Sequence, residues 1–273
     1  MVDKEELSAI KAHYDEEPRR EWDRLQKRYP YEKYITCKIM ERYLHEGDKI
    51  LDIGGGPGHY SVYWAKKGCD MTLLDLSDGN VRFAKQKARQ YGVRIHAGQG
   101  NALDLSRYAD ASFDHVFLMG PLYHLMTEES RVQAVREATR VLKPGGLLFC
   151  SFILLYGGVN YNLRECPEVG VTDDGGNAQL YDMTVRDIPF SGETFTYSYM
   201  TNVPEIRRFF AGFDDLEKET VFGQEGILAP YKYTLDRCTA RIRQQWYDYA
   251  VRFCEKEDYL THAEHLMYVA RKK

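Results

Sequence analysis

Apolar residues recur along this chain with two different spacings. Short apolar runs at Ile50-Leu51-Asp52-Ile53, Met71 to Asp75, Val93 to His96, Phe113 to Met119, Leu147 to Ile153, Leu216 to Phe222 and His265 to Arg271 predict strands. Between them the apolar residues return every three or four positions. Ile35, Ile39, Met40, Tyr43 and Leu44 do so, as do Val81, Phe83, Ala84 and Ala88, and then Val132, Val135, Ala138 and Leu142. That spacing predicts helices over 34–44, 79–91 and 128–142, with others at 60–67, 203–211 and 233–256. Strands alternating with helices predict an α/β fold with a doubly wound sheet. Residues 1–46 read as a helical N-terminal arm rich in aromatics. Residues 154–200 read as an irregular insertion, rich in glycine and polar residues, and a stretch of that kind predicts a functional loop or lid. No linker divides the chain, so 1–273 is read as a single domain.

The candidate chemistry begins where the first strand ends. Gly54, Gly56 and Gly58 follow Ile53 at once and lead into the predicted helix. Glycine lets the backbone turn sharply and lets a ligand lie against it. The helix N-terminus behind it offers free N–H groups. A dinucleotide fingerprint needs a further glycine where this chain has His59. A phosphate loop needs Gly-Lys-Ser or Gly-Lys-Thr, which does not occur here. Asp75 ends the second strand, where a carboxylate can accept both hydroxyls of a ribose. Met119, Gly120 and Pro121 fall at the carboxyl edge of the fourth strand, the edge at which ligands bind in open α/β sheets.

Asp52-Ile-Gly-Gly-Gly-Pro-Gly58 followed by Leu74-Asp75-Leu-Ser77 resembles the class I S-adenosylmethionine-dependent methyltransferases. Phe113 to Leu125, which contains Gly120-Pro-Leu-Tyr-His-Leu125, is similar to a bacterial group of these enzymes. Shorter blocks resemble the same group: Phe195-Thr-Tyr197, Pro204-Glu-Ile206, Gln224-Glu-Gly-Ile227 and Glu264 to Tyr268. The resemblance implies a Rossmann-like, seven-stranded sheet in the order 3-2-1-4-5-7-6, with the arm and the insertion as its lid. It also implies S-adenosyl-L-methionine as cofactor. The loop of Gly54, Gly56 and Gly58 would meet the methionine part, with Asp52 ordering the loop and reaching the amino group through water. Asp75 would hold the ribose, with Leu76 and Ser77 beside the adenine. Asn101 and Ala102 would border the base, Asn101 standing where the group usually has Asp.

Methyl transfer from a sulfonium requires an acceptor held in line with the S–CH3 bond and shielded from water. A base is required only where the acceptor carries a proton at neutral pH. Tyr123 and His124 follow the ligand edge of the sheet and are candidates for that role. A histidine after a turn is as often a hydrogen-bonded structural residue, so both readings of His124 stand. His265, which opens the last strand, is the third candidate. His59 either touches the cofactor or only starts a helix. The implied function is methylation of a small molecule at O, N or S. The alternative is a non-catalytic S-adenosylmethionine-binding sensor or partner protein. Aminopropyl transfer on the same fold finds support only in the Asp173-Asp174 pair.

Composition narrows the setting. The net charge is -4 and basic residues form no long run, so nucleic acid is not an expected partner. The most apolar stretch, Leu147 to Tyr156, is far short of the roughly 20 residues of a membrane helix. Six scattered cysteines form no C-x-x-C pair, which predicts neither a zinc site nor a disulfide scaffold. The charged start at Met1 does not read as a signal peptide, so a cytoplasmic location is expected. The sequence leaves the oligomeric state open.

Overall fold

The computed structural model describes residues 4–171, 175–194 and 196–273. Among these, nine strands form one sheet: β1 (Lys49–Ile53), β2 (Asp70–Asp75), β3 (His96–Gln99), β4 (Phe113–Leu118), β5 (Leu142–Leu154), β6 (Phe190–Glu193), β7 (Tyr197–Thr201), β8 (Leu216–Gly223) and β9 (His265–Lys272). The first five run parallel in the order β3-β2-β1-β4-β5. Strand β9 pairs antiparallel with β5, and β8 antiparallel with β9. With β8 and β9 taken as the sixth and seventh strands, this is the expected seven-stranded order. The hairpin β6–β7 adds two strands that the sequence did not predict.

Strand β1 is buried because it has a neighbour on each edge and a layer on each face. Ile50 lies between Met71 and His115. Ile50 and Leu51 point to opposite sides, as strand periodicity requires. Leu51 belongs to a buried cluster that also holds Ala134, Val135 and Ala138 of α6 (Glu128–Val141) and Ile206 and Phe210 of α9 (Val203–Phe210). Ile50 belongs to a second cluster, with Phe117, Phe149 and Met267 of the sheet, Ile35, Ile39 and Met40 of α3 (Pro30–Met40) and Ala250 of α11 (Ala240–Phe253). Each such buried side chain contributes roughly 1.5–3 kcal/mol. The arm is thus partly a structural layer: Tyr29, Tyr31 and Tyr43 pack in this second cluster.

Side-chain caps fix where the helices begin. Ser77 accepts the N–H of Asn80 at the start of α5 (Asp78–Gln90), and Thr127, Asn202 and Thr239 do the same for α6, α9 and α11. Thr239 also explains a departure from the expected long helix over 233–256. The chain forms α10 (Lys232–Asp236), turns through Arg237 and Cys238, and restarts at the Thr239 cap. Strand β3 begins at His96 rather than Val93, because the Val93 N–H bonds back to Ala88 and closes the preceding helix. Strand β5 includes Lys143 to Gly146, ahead of the start expected at Leu147. The strand starts at Leu142, opposite Phe113, and bulges where Gly145 takes φ +79°.

The largest correction concerns 154–200, which is not irregular. It holds α7 (Leu155–Glu165), a short 3-10 turn (Pro167–Val171), α8 (Gly176–Val185) and the β6–β7 hairpin. Tyr161, Leu163 and Val185 are exposed, so apolar periodicity could not mark these helices. Ile153 pairs with His265 on one edge and with Met200 of β7 on the other. The hairpin therefore extends the edge that β4 leaves when it stops at Leu118. The Asp173-Asp174 pair and Phe195 lie outside the described residues. Among those described, no helix is long and apolar enough to cross a membrane.

Candidate active site

The glycine loop, the ends of β2 and β4, the start of β9 and the N-terminal arm together line one pocket. Its floor at the loop is built by positive φ values at Gly54 (+67°), Gly56 (+55°) and Gly58 (+87°). A Cβ on Gly54 would stand 2.6 Å from Cδ of Pro121, so the loop and the turn after β4 lie in close contact. A Cβ on Gly56 would meet nothing within 4 Å. Gly58 does not line the pocket. It faces Ala84 of α5, and packing rather than ligand contact calls for glycine there. Gly54, Gly56, Asp52, Asp75, Leu76, Asn101, Ala102, Met119 and Gly120 all line it.

Asp75 is the hub of the loop. One carboxylate oxygen accepts the Gly56 N–H at 2.7 Å, and the other accepts the N–H of Ser77 at 2.8 Å and the Asn80 amide at 3.3 Å. Burial raises its pKa against these donors, which pull the other way. Asp52 lies beneath the loop and accepts the Ser61 hydroxyl at 2.7 Å. Its burial pushes its pKa up to about 7, with Ser61 working in the opposite direction. Asn101 uses its side-chain oxygen locally, on the Leu103 N–H at 3.0 Å, so one lone pair remains for a base. Asp104 caps its own turn through the Ser106 N–H and lines a shallow groove elsewhere.

The roof comes from the arm: α1 (Lys4–Glu16), α2 (Pro18–Asp23) and the π-helical turn Arg24–Arg28. Three anchors hold it. Asp15 accepts the Ser77 hydroxyl at 2.7 Å and the Gly79 N–H at 2.9 Å. Tyr14 and His124 meet at 2.8 Å between the hydroxyl and Nε2. Trp22 stacks on His59 with ring centroids 3.9 Å apart, and His59 Nε2–H donates to the Trp22 carbonyl at 2.5 Å. Burial and the nearby Lys33 push the His59 pKa down to about 3, so the ring is neutral. His59 is thus an anchor of the arm as well as part of the pocket wall.

The two histidine candidates differ in kind. His124 Nδ1 lies 2.7 Å from the Tyr197 carbonyl, which can only accept. Nδ1 therefore carries the proton, and Nε2 accepts from Tyr14. Burial pushes the His124 pKa down to about 4. His265 Nδ1 instead lies 2.6 Å from the Glu225 carboxylate. Burial opposes a charge on His265, but Glu225 overcomes it and lifts the pKa to about 9. Tyr123 lies between them, its ring centroid 4.8 Å from His124 and 6.3 Å from His265. Burial raises its pKa well above the ordinary tyrosine range.

Behind these lies a polar wall that no sequence argument assigned. Arg24 donates to both Glu32 oxygens, at 2.5 and 3.2 Å, and to Glu21 at 2.9 and 3.0 Å. Ser151 donates to Gln224, which donates to Thr36 at 3.3 Å. Glu32, Glu225 and His265 present ligand atoms within 4.8 Å of one another. Arg24 already engages both oxygens of Glu32, and His265 with two backbone N–H groups engages Glu225, so the cluster is paired without a cation. The signal for Gln224 and Glu225 was present in the blocks 224–227 and 264–268. For Arg24 and Glu32, in an amphipathic arm, there was none.

Comparison with known proteins agrees with this geometry. Residues 50–146 match a family described as a methyltransferase domain. The chain is 34% identical over 133 residues to the 27-O-demethylrifamycin SV methyltransferase of Amycolatopsis mediterranei, covering 46% of this chain and 47% of that one. It is 27% identical over 229 residues to the erythromycin 3''-O-methyltransferase of Saccharopolyspora erythraea, covering 82% and 64%. The chain spans about half the length of the first curated relatives it matches. The fold is similar to the 1,6-didemethyltoxoflavin-N1-methyltransferase of Burkholderia thailandensis, with TM-score 0.62, 13% identity and coverage of 100% and 91%. The glycine loop, Asp75 and the β4 edge thus lie in a segment similar to methyltransferase domains, on the doubly wound sheet those proteins share.

Proposed function

We propose that the chain is an S-adenosyl-L-methionine-dependent methyltransferase acting on a small molecule at O, N or S. One observation carries the reading. The loop of Gly54 and Gly56, with Asp75, opens into the same roofed pocket as Tyr123, His124 and His265. The residues fit the cofactor. Open space lies over Gly56, Asp75 keeps one lone pair, on the oxygen that accepts the Gly56 N–H, for a ribose hydroxyl, and the Asn80 side-chain oxygen is buried without a partner. Bound there, the cofactor supplies a methyl carbon already activated by its sulfonium. The protein then has to orient and desolvate. Asp75 holds the ribose, Leu76, Asn101 and Ala102 border the base, and Met119 and Gly120 flank the methionine end. Tyr14 and the arm exclude water from the acceptor side.

A single domain over 1–273, with the arm and the 154–200 insertion as its lid, fits this reading, as does a small-molecule acceptor rather than a nucleic acid or a membrane. The six cysteines are all free, which suits a reducing cytoplasm. The deciding experiment is calorimetric titration with S-adenosylmethionine and S-adenosylhomocysteine, with NAD as control. Micromolar binding of the first two is expected, and radiolabelled methyl transfer to an acceptor library follows. A folded protein that binds neither would overturn the proposal.

A further inference from the structure

The wall at the start of β9 says more about the acceptor than about the cofactor. Glu225 is 1% exposed, and its carboxylate accepts the backbone N–H groups of Glu264 (3.1 Å) and His265 (2.9 Å). Its other oxygen takes His265 Nδ1–H at 2.6 Å. The imidazole is therefore fixed in position, with Nδ1 committed. Nε2 makes no hydrogen bond to any described residue, and His265 lines the pocket across from Tyr123. The charged groups around the ring are Glu225 from the loop after β8, Glu32 from α3 and Arg24 from the arm. Tyr123 faces it, while Glu264 beside it is turned to Arg164 at 2.6 Å and Asn160 at 2.6 Å.

We propose, resting on the methyltransferase reading above, that His265 held by Glu225 grips the reacting atom of the acceptor, and that this atom is the oxygen of an acidic hydroxyl, a phenol or an enol. The argument is one of lone pairs. An imidazolium Nε2–H needs an acceptor atom that can take its hydrogen bond and still attack a methyl carbon. A neutral amine has one lone pair and would lose it to the histidine. An oxyanion keeps others free. An aliphatic alcohol is too weak an acid to give up its proton near neutral pH. Nε2 already carries its proton, so the phenolic or enolic proton leaves to solvent water as the oxyanion docks on Nε2–H, and the oxygen keeps the pair that bonds the methyl carbon. The pair of the broken carbon–sulfur bond stays on sulfur. Glu225 is a positioning residue that holds the tautomer and favours the charge, consistent with the lift of His265 to about 9.

The probe is 4-nitrophenol, whose visible absorbance reports its ionisation. It is titrated into the S-adenosylhomocysteine complex at a pH below its own pKa, beside 4-nitroaniline. The wild type is expected to bind it as the phenolate, with at least a tenfold excess of anion over the free compound, and to ignore the aniline. His265→Leu is expected to lose the phenolate signal and Glu225→Gln to weaken it about tenfold, both with unchanged affinity for S-adenosylhomocysteine. The His265 ring resonances of the wild type, which need no variant, are expected to titrate near pH 9. Binding of neutral phenol, equal binding of the aniline, no phenol binding, or an ordinary histidine titration would each overturn the inference. Loss of S-adenosylhomocysteine binding by the wild type would instead overturn the reading beneath it.

Discussion

The carboxylate of Asp75 accepts the backbone N–H of Gly56 at 2.7 Å, so the residue that would hold the ribose also sets the shape of the glycine loop. Asp75→Ala removes both contributions. S-adenosylhomocysteine affinity is expected to fall at least tenfold, roughly 1.4 kcal/mol or more. Asp75→Asn keeps one acceptor and should lose less. Calorimetry on folded variants decides, and unchanged affinity in Asp75→Ala would take the residue out of the site.

Two glycines of the same loop should fail differently. Both sit at positive φ, where a Cβ costs roughly 1–2 kcal/mol. Gly56→Ala has open space around it and should stay folded while losing cofactor affinity. Gly54→Ala would also drive its Cβ into Pro121 and should lose a larger share of stability. Thermal melts paired with calorimetry separate the two, and equal melts would show that the loop and the Pro121 turn are not in rigid contact.

Asp52 predicts a pH signature. Burial pushes its pKa up to about 7, while the unfolded carboxyl ionises near 3.8. The folded state thus holds the proton more tightly. The stability this confers is fully present below the unfolded pKa and is lost as pH rises through 7. Asp52→Asn keeps an oxygen for Ser61 and has no charge to bury. Its melting temperature should exceed that of the wild type by more at pH 8 than at pH 5, with a difference of about 2 °C or greater. An equal offset at both pH values would place the carboxylate in a solvated site.

The arm anchors predict a coupled effect on opening. Tyr14→Phe removes the hydrogen bond to His124, and Asp15→Ala removes two bonds to the start of α5. Limited proteolysis should cut the arm several-fold faster in either variant, and S-adenosylhomocysteine should slow the cutting in the wild type. Protease sensitivity that ignores both substitutions would mean that α1 is held by packing alone.

Strands and helices were legible in the sequence wherever one face is buried. Val135 and Ala138 reveal α6 by their helical period, and Ile50 and Leu51 reveal β1 as a short apolar run buried on both faces. The helices of 154–200 were not legible, because Leu163 and Val185 face solvent and leave no period to read. The long helix expected from Tyr233 broke at Thr239, a cap that a hydrophobic pattern does not register. In the site, residues fixed by local geometry could be found from the chain: Gly54 and Gly56 lie in the loop that opens at the end of β1, and Asp75 ends β2. Arg24, Glu32 and Glu225 could not, since they meet only after 8 to some 200 residues of intervening chain are folded. A Cβ on Gly58 would meet Ala84, and spacing alone does not distinguish a glycine that packing requires from one that a ligand requires.

Tyr14 and Asp15 are consecutive on α1, yet one reaches the turn after β4 and the other the turn after β2. The same short segment therefore closes over the ribose end and over the acceptor wall. On the methyltransferase reading, a displacement of α1 would uncover the cofactor end and the acceptor end of the pocket together, as one hinged cover over two compartments.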